Sequence, residues 1–217
     1  MKKGICIFFL LTVLSVGFLS AKAKLNLDIG PVYTYFSSHE PASSVRFGSG
    51  HGSWTTNTGG LNVLFGVEFV KNFGVYVTAN FALGRYYWSK ESYPTHYEGT
   101  RSPAGVTFAI DSQFGFFYVF HPVKKLDLTL GAGIGIGGSG YNKPLPKSQA
   151  NIGGGINFNA SYMFTKMVGI YGGVSDTLYA PVYTETQISS TRSIKDTDVS
   201  GKVANSLNIK AGIRLVF

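Results

Sequence analysis

The sequence predicts an all-β protein: an eight-stranded antiparallel transmembrane up-and-down β-barrel that follows a cleaved amino-terminal leader. Three observations predict it. The last eleven residues alternate, with Leu207, Ile209, Ala211, Ile213, Leu215 and Phe217 apolar and the residues between them polar, charged or glycine apart from Val216. A period of two is a strand with one greasy and one wet face, and this length suits the roughly 9–11 residues a tilted strand needs to cross a bilayer. Seven more segments upstream repeat the alternation, and the connectors between segments are short and long in turn.

The chain opens on Met1-Lys2-Lys3, runs apolar from Gly4 to Leu19, and then presents Ala21-Lys22-Ala23. A basic start, an apolar stretch too short to span as a helix and small residues three apart read as a secretory signal peptide over residues 1–23, cut after Ala23. Cys6, the single cysteine, falls inside it, so the mature chain 24–217 has no thiol. Removing Lys2, Lys3 and Lys22 lowers the formal charge from +8 to +5. That charge is scattered, without the basic run that marks nucleic-acid binding, so no nucleic-acid partner is expected. After Ala23 no apolar run could span as a helix, yet the chain carries 17 Phe and 13 Tyr and is 44% hydrophobic. In lipid every backbone polar group must be paired, which leaves helices and closed barrels.

In chain order the alternating segments are Lys24 to Phe36, Gly60 to Val70, Gly74 to Trp88, Gly105 to Phe120, Leu126 to Gly137, Asn151 to Phe164, Val168 to Tyr179 and the terminal strand. The outward set includes Leu27, Ile29, Leu61, Phe65, Phe81, Phe114, Leu130, Ile134, Ile156 and Phe158. The inward set includes Asp28, Asn62, Thr78, Asn80, Gln113, Asn157 and Ser161. The seventh segment is the weakest, because Asp176 falls on its apolar face. Connectors 71–73, 121–125 and 165–167 are short, while 37–59, 89–104, 138–150 and 180–204 are long. Short turns at one rim and long loops at the other are the layout of an outer-membrane barrel, and even parity places both termini at the short-turn, periplasmic rim, with the long loops extracellular. Aromatic residues mark two belts: Tyr33, Tyr35, Tyr86, Tyr87, Trp88 and Tyr179 toward the loops, and Phe69, Phe73, Phe116, Phe120, Tyr162, Phe164 and Phe217 toward the turns.

The terminal strand and the aromatic belts resemble those of the small bacterial outer-membrane barrels of the OmpA membrane-domain, OmpX and OmpW type, the OmpW type above all in length and in lacking a periplasmic domain. The resemblance implies that Phe217 is part of the signal read by the barrel-assembly machinery. It also implies residence in outer-membrane lipid, and a narrow apolar path, opening sideways into the bilayer, for small hydrophobic molecules.

An eight-stranded barrel is barely wide enough for its own side chains. The inward phase carries Asp28, Glu68, Asp111 and Asp127 against Lys210 and Arg214. Counted from the two chain ends, Arg214 and Asp28 stand at similar depth on strands that must pair, with Glu68 near the same rim. An Arg214–Asp28–Glu68 cluster is therefore expected, Lys210 one layer above, since an arginine fork can serve two carboxylates. Its bland role is to satisfy buried charge; its functional role would be a gate or proton-sensitive site. Four acids against two bases leave the lumen short of positive charge. Gly131, Gly133, Gly135, Gly137, Gly153 and Gly155 either empty one lumen wall into a path or make room for Tyr76, Phe117, Tyr171 and Met163 across the barrel. Pro31, inside the first strand, cannot donate to the ladder, so a bulge or local gap is expected there, and it is where a lateral opening is to be sought.

No catalytic residue, metal ligand set or cofactor motif emerges. Gly133, Gly135 and Gly138 fit G-x-G-x-x-G, but Ser139 to Pro144 follow where a dinucleotide site needs a helix. His39, His51, His96 and His121 fall in connectors without metal spacing. His51-Gly52-Ser53 resembles faintly the His and Ser of barrel-borne lipid A acyl hydrolases, but a glycine-rich loop tip does not hold a base against a nucleophile. Two functions therefore stand: a narrow channel for small hydrophobic solutes, and a surface-interaction protein acting through long loops that carry Arg46, Arg192, Lys195 and Lys202 toward a host or surface ligand.

Overall fold

A computed structural model describes residues 23–40, 51–92, 106–141, 147–189, 192–196 and 202–217. The expected leader, with Cys6, lies outside the described residues except for Ala23, as do His96 and the tip segment 41–50. Among the described residues nine strands form: β1 Lys24–Glu40, β2 His51–Val70, β3 Phe73–Ser92, β4 Val106–Val123, β5 Leu126–Tyr141, β6 Lys147–Met163, β7 Val168–Ser189, β8 Arg192–Asp196 and β9 Val203–Val216. All but β8 close into one antiparallel barrel, each strand pairing with the next in sequence, β7 with β9, and β9 with β1. No helix occurs among the described residues. Closure runs to the last residue: Phe217 N donates to Leu25 O (2.9 Å) and Leu25 N to Phe217 O (3.0 Å). A sealed ladder leaves no free edge, as hydrocarbon surroundings demand.

Side chains alternate as the sequence demands. Leu61, Phe81, Ile134, Ile156, Ile209 and Ile213 point outward and are 48 to 59% exposed, while Asp28, Asn62, Thr78, Thr107 and Asn208 point inward and are 0% exposed. This is the inverse of a soluble protein, whose apolar residues fill the interior. Among the described residues no helix is long and apolar enough to cross a membrane.

The strands overrun the alternating segments. β2 begins at His51 rather than Gly60, and β7 ends at Ser189 rather than Tyr179. Near the loops the outward face turns polar, with Thr55, Asn57, Tyr183 and Glu185, so the hydrophobic signal stops while the backbone ladder continues. Much of the expected long loops 37–59, 138–150 and 180–204 is thus strand, as are the first four residues of 89–104. The terminal strand is β9, not the eighth in order, because β8 folds back on the end of β7 from Thr184↔Asp196 to Ser189↔Arg192.

The opposite rim is tight. Asn72 (φ 67°) and Lys125 (φ 74°) take left-handed conformations in the turns Lys71-Asn72 and Lys124-Lys125. Between β6 and β7, Val168 N donates to Thr165 Oγ1 at 2.9 Å. His121 belongs to the end of β4 rather than to a connector.

Candidate functional site in the barrel lumen

The register sets Asp28 of β1 directly against Arg214 of β9. Arg214 Nε donates to Asp28 Oδ1 (2.6 Å) and Nη2 to Asp28 Oδ2 (2.5 Å), while Nη1 reaches across to Ser161 Oγ on β6 (2.6 Å). Arginine and aspartate are both buried. A planar fork on a planar carboxylate is the strongest geometry available to such a pair.

Glu68 does not join them. It pairs with Lys24, four residues below Asp28 on β1, or about 13 Å along the strand at about 3.3 Å per residue. The stagger between tilted strands separates residues that lie similarly far from the chain ends and turns. Glu68 Oε1 instead accepts from Asn72 N (2.9 Å), supporting the turn. Asp127 also sits low, 2.7 Å from His121 Nδ1 and 3.8 Å from Lys24 Nζ. Among the described residues the expected surplus of acid therefore disappears: Asp28 and Asp111 stand against Lys210 and Arg214, with Lys202 buried as well just before β9. Lys210 lies opposite Val32, four residues above Arg214, buried and with no hydrogen-bond partner for its Nζ.

Asp111 anchors the upper lumen. Its Oδ1 accepts from Tyr179 OH (2.7 Å), and its Oδ2 accepts from Ser206 Oγ (2.8 Å) and Asn208 Nδ2 (2.6 Å). Thr34 Oγ1 donates to Asn208 Oδ1 at 2.6 Å, tying β1 into the same layer. Tyr179 was expected among the outer aromatics. It occupies the inward phase of β7 with Tyr171, Ser175 and Thr177, because Val174, Asp176 and Leu178 face out. Below it, Tyr76 OH donates to Gln113 Oε1 (3.0 Å) and Gln113 Nε2 to Thr177 Oγ1 (2.5 Å). Tyr171 OH donates to Asn62 Oδ1 (2.8 Å), and Asn62 Nδ2 to Asn80 Oδ1 (2.6 Å). Gln113, Asn208 and Tyr179 carry this network: the alternation places Gln113 inward, Tyr179 is expected in the outer belt, and Asn208 has no expected role, although a large polar side chain on the inward phase is the available signal.

The glycine wall is occupied. A Cβ at Gly131 would sit 2.8 Å from Tyr76 Cε1, and one at Gly137 2.9 Å from Tyr179 OH. At Gly135 it would strike Thr177 Cγ2 and at Gly155 it would stand 2.7 Å from Gln113 Nε2. Gly133 and Gly153 meet backbone, at Phe114 O and Leu178 O. Rings laid from β3 and β7 fill the space at Gly131 and Gly137, and Thr177 and Gln113 fill it at Gly135 and Gly155. A cavity of about 20 Å3, room for about one water, remains beside Asn26, Tyr76, Phe117, Gly131, Asn157 and Arg214.

Pro31 produces no bulge. The β1–β9 register is the same on both sides, Ile29↔Ile213 and Val32↔Lys210, and only the two intervening pairs lapse. The backbones stay close there, since a Cβ at Gly30 would strike Ala211 O and Gly212 Cα. The side chains of His51, Ser53, Tyr86, Tyr87, Trp88 and Arg192 lie outside the described residues. Among those described, no cluster of His, Asp and Glu forms a metal site.

The family described as Domain of unknown function (DUF2715) matches residues 19–217. The chain belongs to this family. Comparison with curated proteins gives no significant match. Solved structures do match. The outer membrane protein OprG of Pseudomonas aeruginosa aligns with a TM-score of 0.58 at 10% identity, over 90% of this chain and 96% of its own. The outer membrane protein AlkL, solved in lipid bilayers, gives 0.56 at 10% identity over 91% and 92%. Neisserial surface protein A gives 0.51 at 11% identity over 88% and 96%. At such identities the likeness is one of fold: the closed barrel of bacterial outer-membrane proteins.

Proposed function

We propose that this is an outer-membrane protein whose sealed barrel is an anchor and whose tall hairpins, displayed outside the cell, carry its interactions. The observation that carries this is strand length over a filled lumen. β2 and β3 have 20 residues and β7 has 22. At about 3.3 Å per residue and about 40° of tilt, twenty residues rise about 50 Å, roughly twice the ~25 Å apolar band of such barrels. Strands that overrun the membrane support rigid projections, such as β7 with β8, rather than slack loops. In this reading the leader is removed after Ala23, Phe217 is read by the assembly machinery, the termini are periplasmic and the loops face a host or other surface ligand.

The second function is a narrow path for small hydrophobic solutes. The cavity beside Arg214 and the glycine wall behind Tyr76 and Tyr179 favour it, because a path would open there if the two rings moved aside. Recording from planar bilayers separates the two. A silent wild type supports the anchor, and steady conductance overturns it. An epitope in segment 41–50 should be reached by antibody on intact cells, and one at Lys71-Asn72 only after permeabilisation; the reverse pattern would discard the orientation.

A further inference from the structure

The lower rim carries a charge pattern that neither function uses. Every short turn presents an exposed lysine: Lys71 between β2 and β3, Lys124 and Lys125 between β4 and β5, and Lys166 between β6 and β7. Lys24 stands beside them at the start of β1. The acids of this rim are engaged inward, Glu68 by Asn72 N and Asp127 by His121 and Lys24, so apart from the terminal carboxylate of Phe217 the described rim is positive toward its surroundings. Directly above lies a shelf of outward aromatics: Phe73 stacks on Phe116 at 5.7 Å, and Tyr162 meets Phe164 edge-on at 5.8 Å. The far rim differs, pairing charges of opposite sign, as in Glu185↔Lys195.

Aromatic rings fix the depth at which a barrel sits in a bilayer. A lysine just below that depth can lay its stem along the apolar wall and hold its ammonium at the headgroup phosphates. We propose that the lysine ring and aromatic shelf form a binding collar for anionic phospholipid headgroups of the periplasmic leaflet. This rests on the barrel spanning a membrane with its short turns periplasmic, but not on the choice between anchor and channel. An anionic surface draws each nearby lysine with a gain of about fivefold in binding.

The test uses the refolded full chain in phosphatidylcholine vesicles containing trace spin-labelled phosphatidylglycerol or phosphatidylcholine. The collar requires phosphatidylglycerol to associate several-fold more strongly at low ionic strength, with the preference lost in molar salt. It requires the same loss in the combined variant Lys71→Ser, Lys124→Ser, Lys125→Asn, Lys166→Ser, whose side chains are exposed and whose folding is checked by heat-dependent gel migration. A Lys195→Ser variant, which removes an exposed lysine of the far rim, should keep the preference. Equal association of both lipids with wild type, or a preference that survives the rim variant, overturns the collar while leaving the barrel intact. Failure of either lipid to form a motionally restricted shell would instead remove the membrane reading itself.

Discussion

The two sides of the lumen are closed by different physics. At the β1–β9 seam, closure is electrostatic: Asp28 and Arg214 are locked face to face, with Ser161 as the third point of the fork. At the β5–β6 wall, closure is steric: glycines give way to Tyr76 and Tyr179 arriving from β3 and β7. The seam therefore tolerates a change of shape but not the loss of one charge, while the wall tolerates neither an added methyl nor the loss of the ring that fills it.

The seam should give the largest effect. Arg214→Ala leaves Asp28 buried and unpaired, and the expected cost is about 3–5 kcal/mol. Urea unfolding in vesicles measures it, and adding Asp28→Leu to an Arg214→Leu background should recover most of the loss. If the double variant is as unstable as the single, the seam is not held by charge. On the outer side of the glycine wall, Ile134→Arg puts a charge in the apolar belt and should cost about 2–4 kcal/mol. No cost there would mean that this face is wet.

The upper layer and the wall come next. Tyr179→Phe leaves Asp111 with two donors instead of three; the expected loss is about 1–3 kcal/mol. The smallest effects separate inner from outer glycines. Gly135→Ala drives a methyl into Thr177 and should destabilise by about 1–3 kcal/mol. Gly154→Ala faces outward with nothing nearer than Gly133 O at 3.9 Å, and should stay within about 0.5 kcal/mol of wild type. Equal effects at the two positions would erase the distinction between wall and exterior.

The same contrast explains what sequence could convey. A period of two reports which face a residue takes, so the barrel, its closure at Phe217 and the inward placement of Asp28, Asp111, Lys210 and Arg214 were legible. Depth was legible only coarsely: Glu68 was expected near this rim, but strand stagger sets it and Asp127 below the Asp28–Arg214 layer, where a turn amide and His121 receive them. Partners across the barrel were not legible either, because Tyr179 and Asp111 lie 68 residues apart and meet only after the cylinder closes. The glycines were visible as gaps, but what fills them is supplied by other strands. Strand ends were hidden wherever both faces became polar.

Site-directed spin labelling along β9 tests the inside-out, sealed cylinder most directly. Labels at Leu207, Ile209 and Ile213 should be relaxed by lipid-soluble oxygen, and labels at Ser206 and Asn208 by neither oxygen nor a water-soluble nickel complex. Nickel access at Ser206 and Asn208 would reveal an open aqueous lumen, and loss of the alternation would mean that the apolar residues do not clothe the outside.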